Sequence, residues 1–134
     1  MFPVIELPPG GVSLQWVYNR VRDHLLKQGV RSKESGSCLY RGPNETACAA
    51  GCLIRDDLYS PELEYKSIGW NEAPWNAVAA SLNLKVGDNI TEENLQMFKY
   101  RIQELQGIHD NVSFEPFQWA DKLREFAEKN QLVP

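Results

Sequence analysis

The sequence lacks a long apolar run, an excess of basic residues and an even set of cysteines. No apolar stretch in its 134 residues approaches the roughly 18 that a membrane span needs. Lys and Arg number 14 against 18 Asp and Glu, and the net charge of −4 argues against a generic DNA-binding protein. The hydrophobic fraction of 43% excludes a disordered chain, and the length predicts one domain over residues 1–134.

The three cysteines are an odd number and follow no signal peptide, which predicts reduced thiols in a cytoplasm. Cys48 and Cys52 lie among small apolar residues, as buried cysteines usually do. Together with Cys38 they lack the paired spacing of a structural zinc site. We therefore expect packed, metal-free thiols and no cofactor. If the three cysteines did hold a metal, His109 or His24 would be the fourth ligand.

Three segments show the apolar periodicity of amphipathic helices: residues 13–29, 91–107 and 116–130. Each begins at a capping residue or a proline and ends at Gly or Asn. We expect the three helices to pack on one another. The predicted buried positions are Leu14, Val17, Tyr18, Val21 and Leu25; Leu95, Phe98, Ile102 and Leu105; and Phe117, Ala120, Leu123 and Ala127, with Trp119 and Phe126 beside them.

The rest of the chain is less regular. Residues 1–12 are rich in Pro and Gly and predict an extended lead-in. Residues 38–41 are a short strand candidate, and residues 46–54 favour a buried short helix, with a buried strand as the alternative. Further short helices are predicted to begin at Ser60 and at Pro74. The predicted fold is mainly α: a compact single domain with a small irregular or hairpin segment in the middle.

The runs CLYRGP at 38–43, CAAGCLI at 48–54 and DDLYSPE at 56–62, with His109-Asp110 downstream, resemble a group of small uncharacterised proteins from tailed phages and prophages. The resemblance implies a phage-encoded accessory protein in the host cytoplasm. Such a protein would be a non-catalytic inhibitor or decoy, used against host defence or in host takeover. It would act on a host protein or on a nucleotide.

Positive charge is concentrated between Arg20 and Arg41, where six basic residues stand against two acidic ones. This concentration predicts an anion-binding site at Arg31, Ser32, Tyr40 and Arg41. Arginine binds phosphate bidentately, and a tyrosine ring can stack on a base. The alternative is that these arginines pair inside the fold with the more acidic C-terminal half.

Trp70 and Trp75 flank a polar loop, which predicts an anchor for a protein partner. The alternative is that the two rings close the side of a small core. A homo-oligomer is also compatible with the sequence.

His109-Asp110 resembles the His-Asp centre of helical metal-dependent phosphohydrolases and suggests that activity as an alternative function. His24 and Asp121 would be the remaining ligands, although their separations from the pair do not match that family's layout. A histidine near the end of a helix more often interacts with the last carbonyl groups.

Overall fold

The computed structural model describes residues 4–134, and within them the chain is mainly helical. The helices are α1 (Leu14–Gln28), α2 (Glu72–Ser81), α3 (Glu92–Asp110) and α4 (Trp119–Lys129). Two antiparallel hairpins lie between α1 and α2: β1 (Lys33–Glu34) with β2 (Ser37–Cys38), and β3 (Arg41–Gly42) with β4 (Thr46–Ala47). The structure thus confirms the predicted mainly α fold with a small hairpin segment in the middle.

Helices α1, α3 and α4 pack on one another around a single core, as their apolar periodicity predicts. Between α1 and α4, the rings of Tyr18 and Phe126 stack with their centroids 5.9 Å apart. The fully buried side chains that these helices contribute include Val17, Val21, Leu25, Ile102, Leu105 and Trp119.

The predicted helix ends are correct for α1 and wrong for the end of α3. Ser13 Oγ accepts a hydrogen bond from the Trp16 amide at 3.1 Å, and Gly29 ends α1 with a φ of 68°. Helix α3, in contrast, continues past Gly107 to Asp110. A glycine inside a helix costs only about 1 kcal/mol, and burial of Ile108 in the next position outweighs that cost.

The buried face of α4 also differs from the prediction. Phe117 is 83% exposed, and Ala120 is exposed as well. The reason is that Pro116–Gln118 form a 3-10 turn, so the α-helix begins only at Trp119. The buried row then consists of Trp119, Leu123, Phe126 and Ala127.

Residues 46–54 are buried as predicted, but they form no α-helix. The first two residues are β4, and the segment ends in a 3-10 turn at Gly51–Leu53. A close approach of two backbones explains this path. A Cβ atom at Gly51 would lie 2.0 Å from the carbonyl oxygen of Tyr40, so only glycine fits there.

The remaining segments follow the predictions in part. The candidate strand at 38–41 is interrupted, because Cys38 ends β2 and Arg41 begins β3. Pro61–Leu63 form only a 3-10 turn, and α2 begins at Glu72 rather than at Pro74. Residues 4–12 contain no helix or strand, and the first three residues of the predicted lead-in lie outside the described residues.

Truncating the core and the exposed face of the C-terminal segment should give different results. Leu123→Ala should lower the free energy of unfolding by about 2–5 kcal/mol, because a buried large side chain leaves a cavity. Phe98→Ala on α3 should cost a similar amount. Phe117→Ala is the control and should change stability by less than about 0.5 kcal/mol. Urea unfolding measures all three, and a larger loss at Phe117 than at Leu123 would contradict this packing.

Candidate binding sites

The last turn of α3 carries a hydrogen-bond network, formed by Gln106, His109 and Asp110, that ties the irregular middle segment to the helix. Gln106 Oε1 accepts from the Ala50 amide at 2.8 Å, and its Nε2 donates to the Asp110 carboxylate at 2.9 Å. His109 Nε2 accepts from the Ser32 amide at 2.9 Å. In this α3-end network, Gln106 and His109 satisfy backbone amides that have no strand partner of their own, and Asp110 is hydrogen-bonded to both side chains.

The hydrogen bonds of His109 determine which of its nitrogens carries the proton. The Nε2 atom faces an N–H donor and must therefore be unprotonated. The Nδ1 atom then carries the proton and donates it to Asp110 Oδ1 at 2.7 Å. The ring is fully buried and stacks on Trp119, with centroids 5.5 Å apart. His109 is thus a satisfied core histidine with both nitrogens engaged.

This protonation state argues against a metal at His109. Potential ligand atoms of Cys38, His109 and Asp110 do lie within 4.8 Å of one another. A metal on His109 Nδ1 would displace the proton from that atom. A neutral imidazole would then carry its proton on Nε2, facing the amide hydrogen of Ser32.

The other residues proposed for a phosphohydrolase centre are engaged elsewhere. His24 Nε2 lies 2.8 Å from the Ala47 carbonyl, and Asp121 accepts from Arg124 at 3.2 Å on α4. Their contacts provide no support for a shared centre with His109 and Asp110.

Burial suppresses the chemistry of the three cysteines. It raises the pKa of the Cys38 thiol from 9.0 to about 11, and Asp110 beside it adds to that rise. It likewise raises the pKa of Cys52 to about 12 and that of Cys48 well above its ordinary value. The Cys52 thiol donates to the Ala49 carbonyl at 3.1 Å, and Cys48 Sγ accepts from the Gly51 amide at 3.3 Å. Neutral thiols are poor nucleophiles and poor metal ligands.

Arg31 and Ser32, predicted to bind an anion, are used by the fold instead. The Arg31 guanidinium donates to the carbonyl oxygens of His109 at 3.3 Å and Asn111 at 3.0 Å, and also to that of Phe114. It thereby caps the carboxyl end of α3, where a cation is favourable. Ser32 contributes its amide, which donates to His109. Its side chain is completely buried, and the hydroxyl has no hydrogen-bond partner among the described residues. Pairing of these arginines with the acidic C-terminal half was the alternative expectation from the sequence. Arg31 does contact that half, but its acceptors are backbone carbonyl groups and not carboxylates.

Tyr40 and Arg41 have similar structural roles. Tyr40 is 7% exposed and donates its hydroxyl to the Lys66 carbonyl at 2.6 Å. Arg41 donates to the Ile54 carbonyl at 2.5 Å and forms an ion pair with Asp56 at 2.6 Å. The structure therefore gives no support to an anion site made of these residues.

The two tryptophans predicted to anchor a partner lie in different environments. Trp75 is 7% exposed and packs in the core, so for this residue the partner prediction is wrong. It is buried because it lies in the first turns of α2, on the side that faces the core. Trp70 is 88% exposed, which leaves its ring available to a partner.

Two further exposed aromatic residues belong, like Trp70, to segments that lie close to Gln103. Gly69 adjoins Trp70, and a Cβ atom there would lie 2.2 Å from Gln103 Nε2. Tyr65 is 77% exposed and lines a cavity of about 310 Å³ that Gln103 also lines. Tyr100 is 67% exposed and precedes Gln103 by three residues on α3, so both lie on one helix face. We call Tyr65, Trp70 and Tyr100 the aromatic face.

Sequence reasoning did not find Tyr65 or Tyr100. Tyr100 carried a signal, since it lies outside the apolar stripe of α3 and an aromatic residue there must face away from the core. The sequence gives no signal for the exposure of Tyr65, because this residue lies in a loop without a periodic pattern.

A cleft of about 840 Å³ lies beside α1. Its wall on α1 includes Lys27, Arg20 and Trp16, of which Trp16 also packs in part against the core. Glu6 from the N-terminal segment and Glu45 from the loop between β3 and β4 form other walls. This α1 cleft lies within the range of roughly 300–1,000 Å³ that is typical of small-molecule sites.

No family model, curated protein or solved structure matches this chain. Within residues 4–134, no helix is both long enough and apolar enough to cross a bilayer.

The raised thiol pKa of Cys38 should govern its reactivity. Near pH 8 the thiolate fraction of the native thiol should be about a hundredfold below that of an ordinary cysteine, because the pKa is raised from 9.0 to about 11. The rate of alkylation by iodoacetamide should keep rising with pH above 9, and Cys48 and Cys52 should stay unmodified until the protein unfolds. Mass spectrometry of tryptic peptides measures each site. A plateau below pH 8 would show an activated thiolate.

Loss of Arg31 should reduce stability. Arg31→Ala should cost about 1–3 kcal/mol in urea unfolding, because charged hydrogen bonds to three carbonyl groups are lost. Arg124→Ala removes an exposed arginine on α4 and is the matched control, with an expected change below about 1 kcal/mol. If Arg31 were an anion ligand instead, its loss would leave stability unchanged and would weaken phosphate binding.

Proposed function

We propose that this protein is a small non-catalytic binding protein that docks a partner protein on the aromatic face. The observation that carries the proposal is the exposure of three aromatic residues on segments that lie close to Gln103: 88% for Trp70, 77% for Tyr65 and 67% for Tyr100. Leaving such rings in water forgoes the free energy of their burial. Tryptophan and tyrosine are also the residues that most often dominate binding energy at protein interfaces.

The surroundings of these rings carry charges of both signs. Lys66 and Asp110 line the same cavity as Tyr65, and the Lys99 ammonium lies 5.9 Å from the centre of the Trp75 ring. Charged side chains at the rim of an aromatic patch affect the rate of association and the choice of partner more than the affinity. The cavity beside Tyr65 offers the amide of Gln103 to a polar group of the partner.

A non-catalytic role accords with the state of the reactive groups. The pKa values of all three thiols are raised, and both nitrogens of His109 are engaged. The resemblance to small phage proteins supports the further proposal that the partner is a host protein and that this chain inhibits or sequesters it. The same contacts of His109 disfavour the phosphohydrolase alternative.

The partner can be found by photo-crosslinking from the proposed face. A photoreactive amino acid at position 100 should capture the partner in cells that naturally carry the gene. The same group at position 117, which is also highly exposed, is the control and should not capture it.

Affinity measured with the purified partner then tests the face directly. Trp70→Ala should weaken binding by about thirtyfold, as expected for loss of about 2 kcal/mol at an aromatic hot spot. Phe117→Ala should leave affinity unchanged within about twofold, a difference smaller than 0.5 kcal/mol. Since Trp70 is exposed, its loss should not change the unfolding midpoint. Full affinity in a Trp70→Ala, Tyr100→Ala double variant would refute the proposal.

A further inference from the structure

We infer that the α1 cleft binds a nucleoside phosphate. This site shares no residue with the aromatic face, so the inference can be tested independently of the proposed protein partner. The inference depends on three side chains from two segments: Lys27 and Trp16 on α1, and Glu6 across the cleft.

Lys27 provides the charge for a phosphate group. It lies in the last turn of α1, and no hydrogen bond or ion pair joins its ammonium group to another of the described residues. Arg20 lies two turns earlier on the same face and donates from Nε to the Cys52 carbonyl at 2.8 Å, which holds its guanidinium at the cleft wall. A phosphate near Lys27 would form charge-assisted hydrogen bonds.

Trp16 provides a flat apolar surface. It lies four residues before Arg20 on the same helix face and is only partly buried. Stacking of a base on an aromatic ring contributes about 1–3 kcal/mol and tolerates any base. A ligand that stacks here would therefore contain an aromatic ring.

The carboxylates of the cleft select for a ligand with hydroxyl or amino groups. Glu6 lies on the wall away from α1, whereas Asp23 on α1 already accepts from Arg22 at 2.9 Å. A small bare anion would be repelled by these acids, and a polycation would be repelled by Lys27. A nucleoside phosphate suits both walls, because a ribose hydroxyl can donate to the Glu6 carboxylate while the phosphate contacts Lys27.

Isothermal titration calorimetry with AMP, GMP, CMP, UMP, adenosine and inorganic phosphate tests the inference on the full chain. At least one monophosphate should bind, and AMP should bind more than about tenfold tighter than adenosine or phosphate alone, since both ends contribute. Affinity should fall at high salt because the contact with Lys27 is screened. Absence of binding by all four monophosphates at millimolar concentration would overturn the inference.

Two lysine variants locate the ligand. Lys27→Ala should weaken monophosphate binding by about tenfold, the loss of one charge-assisted hydrogen bond, and should leave adenosine binding unchanged. Lys85→Ala removes a lysine that pairs with Asp88 in an exposed turn, and it should bind like the unmodified protein. Both lysines are exposed, so neither variant should unfold. Equal affinities for Lys27→Ala and Lys85→Ala would place the ligand outside the cleft and refute the assignment.

Discussion

The hydrogen bonds at the carboxyl end of α3 are the interaction on which the rest of the structure depends. The segment between α1 and α2 contains only two hairpins with two-residue strands, and such hairpins are not stable alone. His109 and Gln106 accept from amides of this segment, and Arg31 from the same segment caps the last carbonyls of α3. The helix end and the loop thus satisfy each other's backbone groups, which neither could do alone.

This arrangement also explains why the side chains of His109 and Cys38 are not chemically reactive in the folded protein. A buried amide facing His109 Nε2 dictates one tautomer of the ring, and burial keeps the neighbouring Cys38 thiol protonated. Polar side chains that are fully satisfied by backbone partners specify a unique conformation. They have little capacity left for a metal ion or for acid–base catalysis.

The two surfaces that we propose for binding lie where a helix has a face that the core does not use. Helix α1 buries Val17 and Val21, whereas its exposed Lys27 lines the α1 cleft. Helix α3 likewise buries Ile102 and presents Tyr100 on its outer face. In a domain of this size, three packed helices leave such outer faces exposed. The irregular segments beside them then turn the exposed faces into a cleft and an aromatic patch.

The local pattern of the chain determined the existence of α1, α3 and α4 and most of their buried faces, because apolar periodicity and capping residues act over a few neighbouring positions. It also determined that residues 46–54 are buried. Only the tertiary structure decided the roles of the polar residues. Arg31 meets carbonyls about 80 positions away, and His109 meets the Ser32 amide. The same holds for Trp70 and Trp75, of which one is exposed and the other buried. Composition does not encode which partner a charged or aromatic side chain will meet, since that depends on distant segments brought together by the packed core.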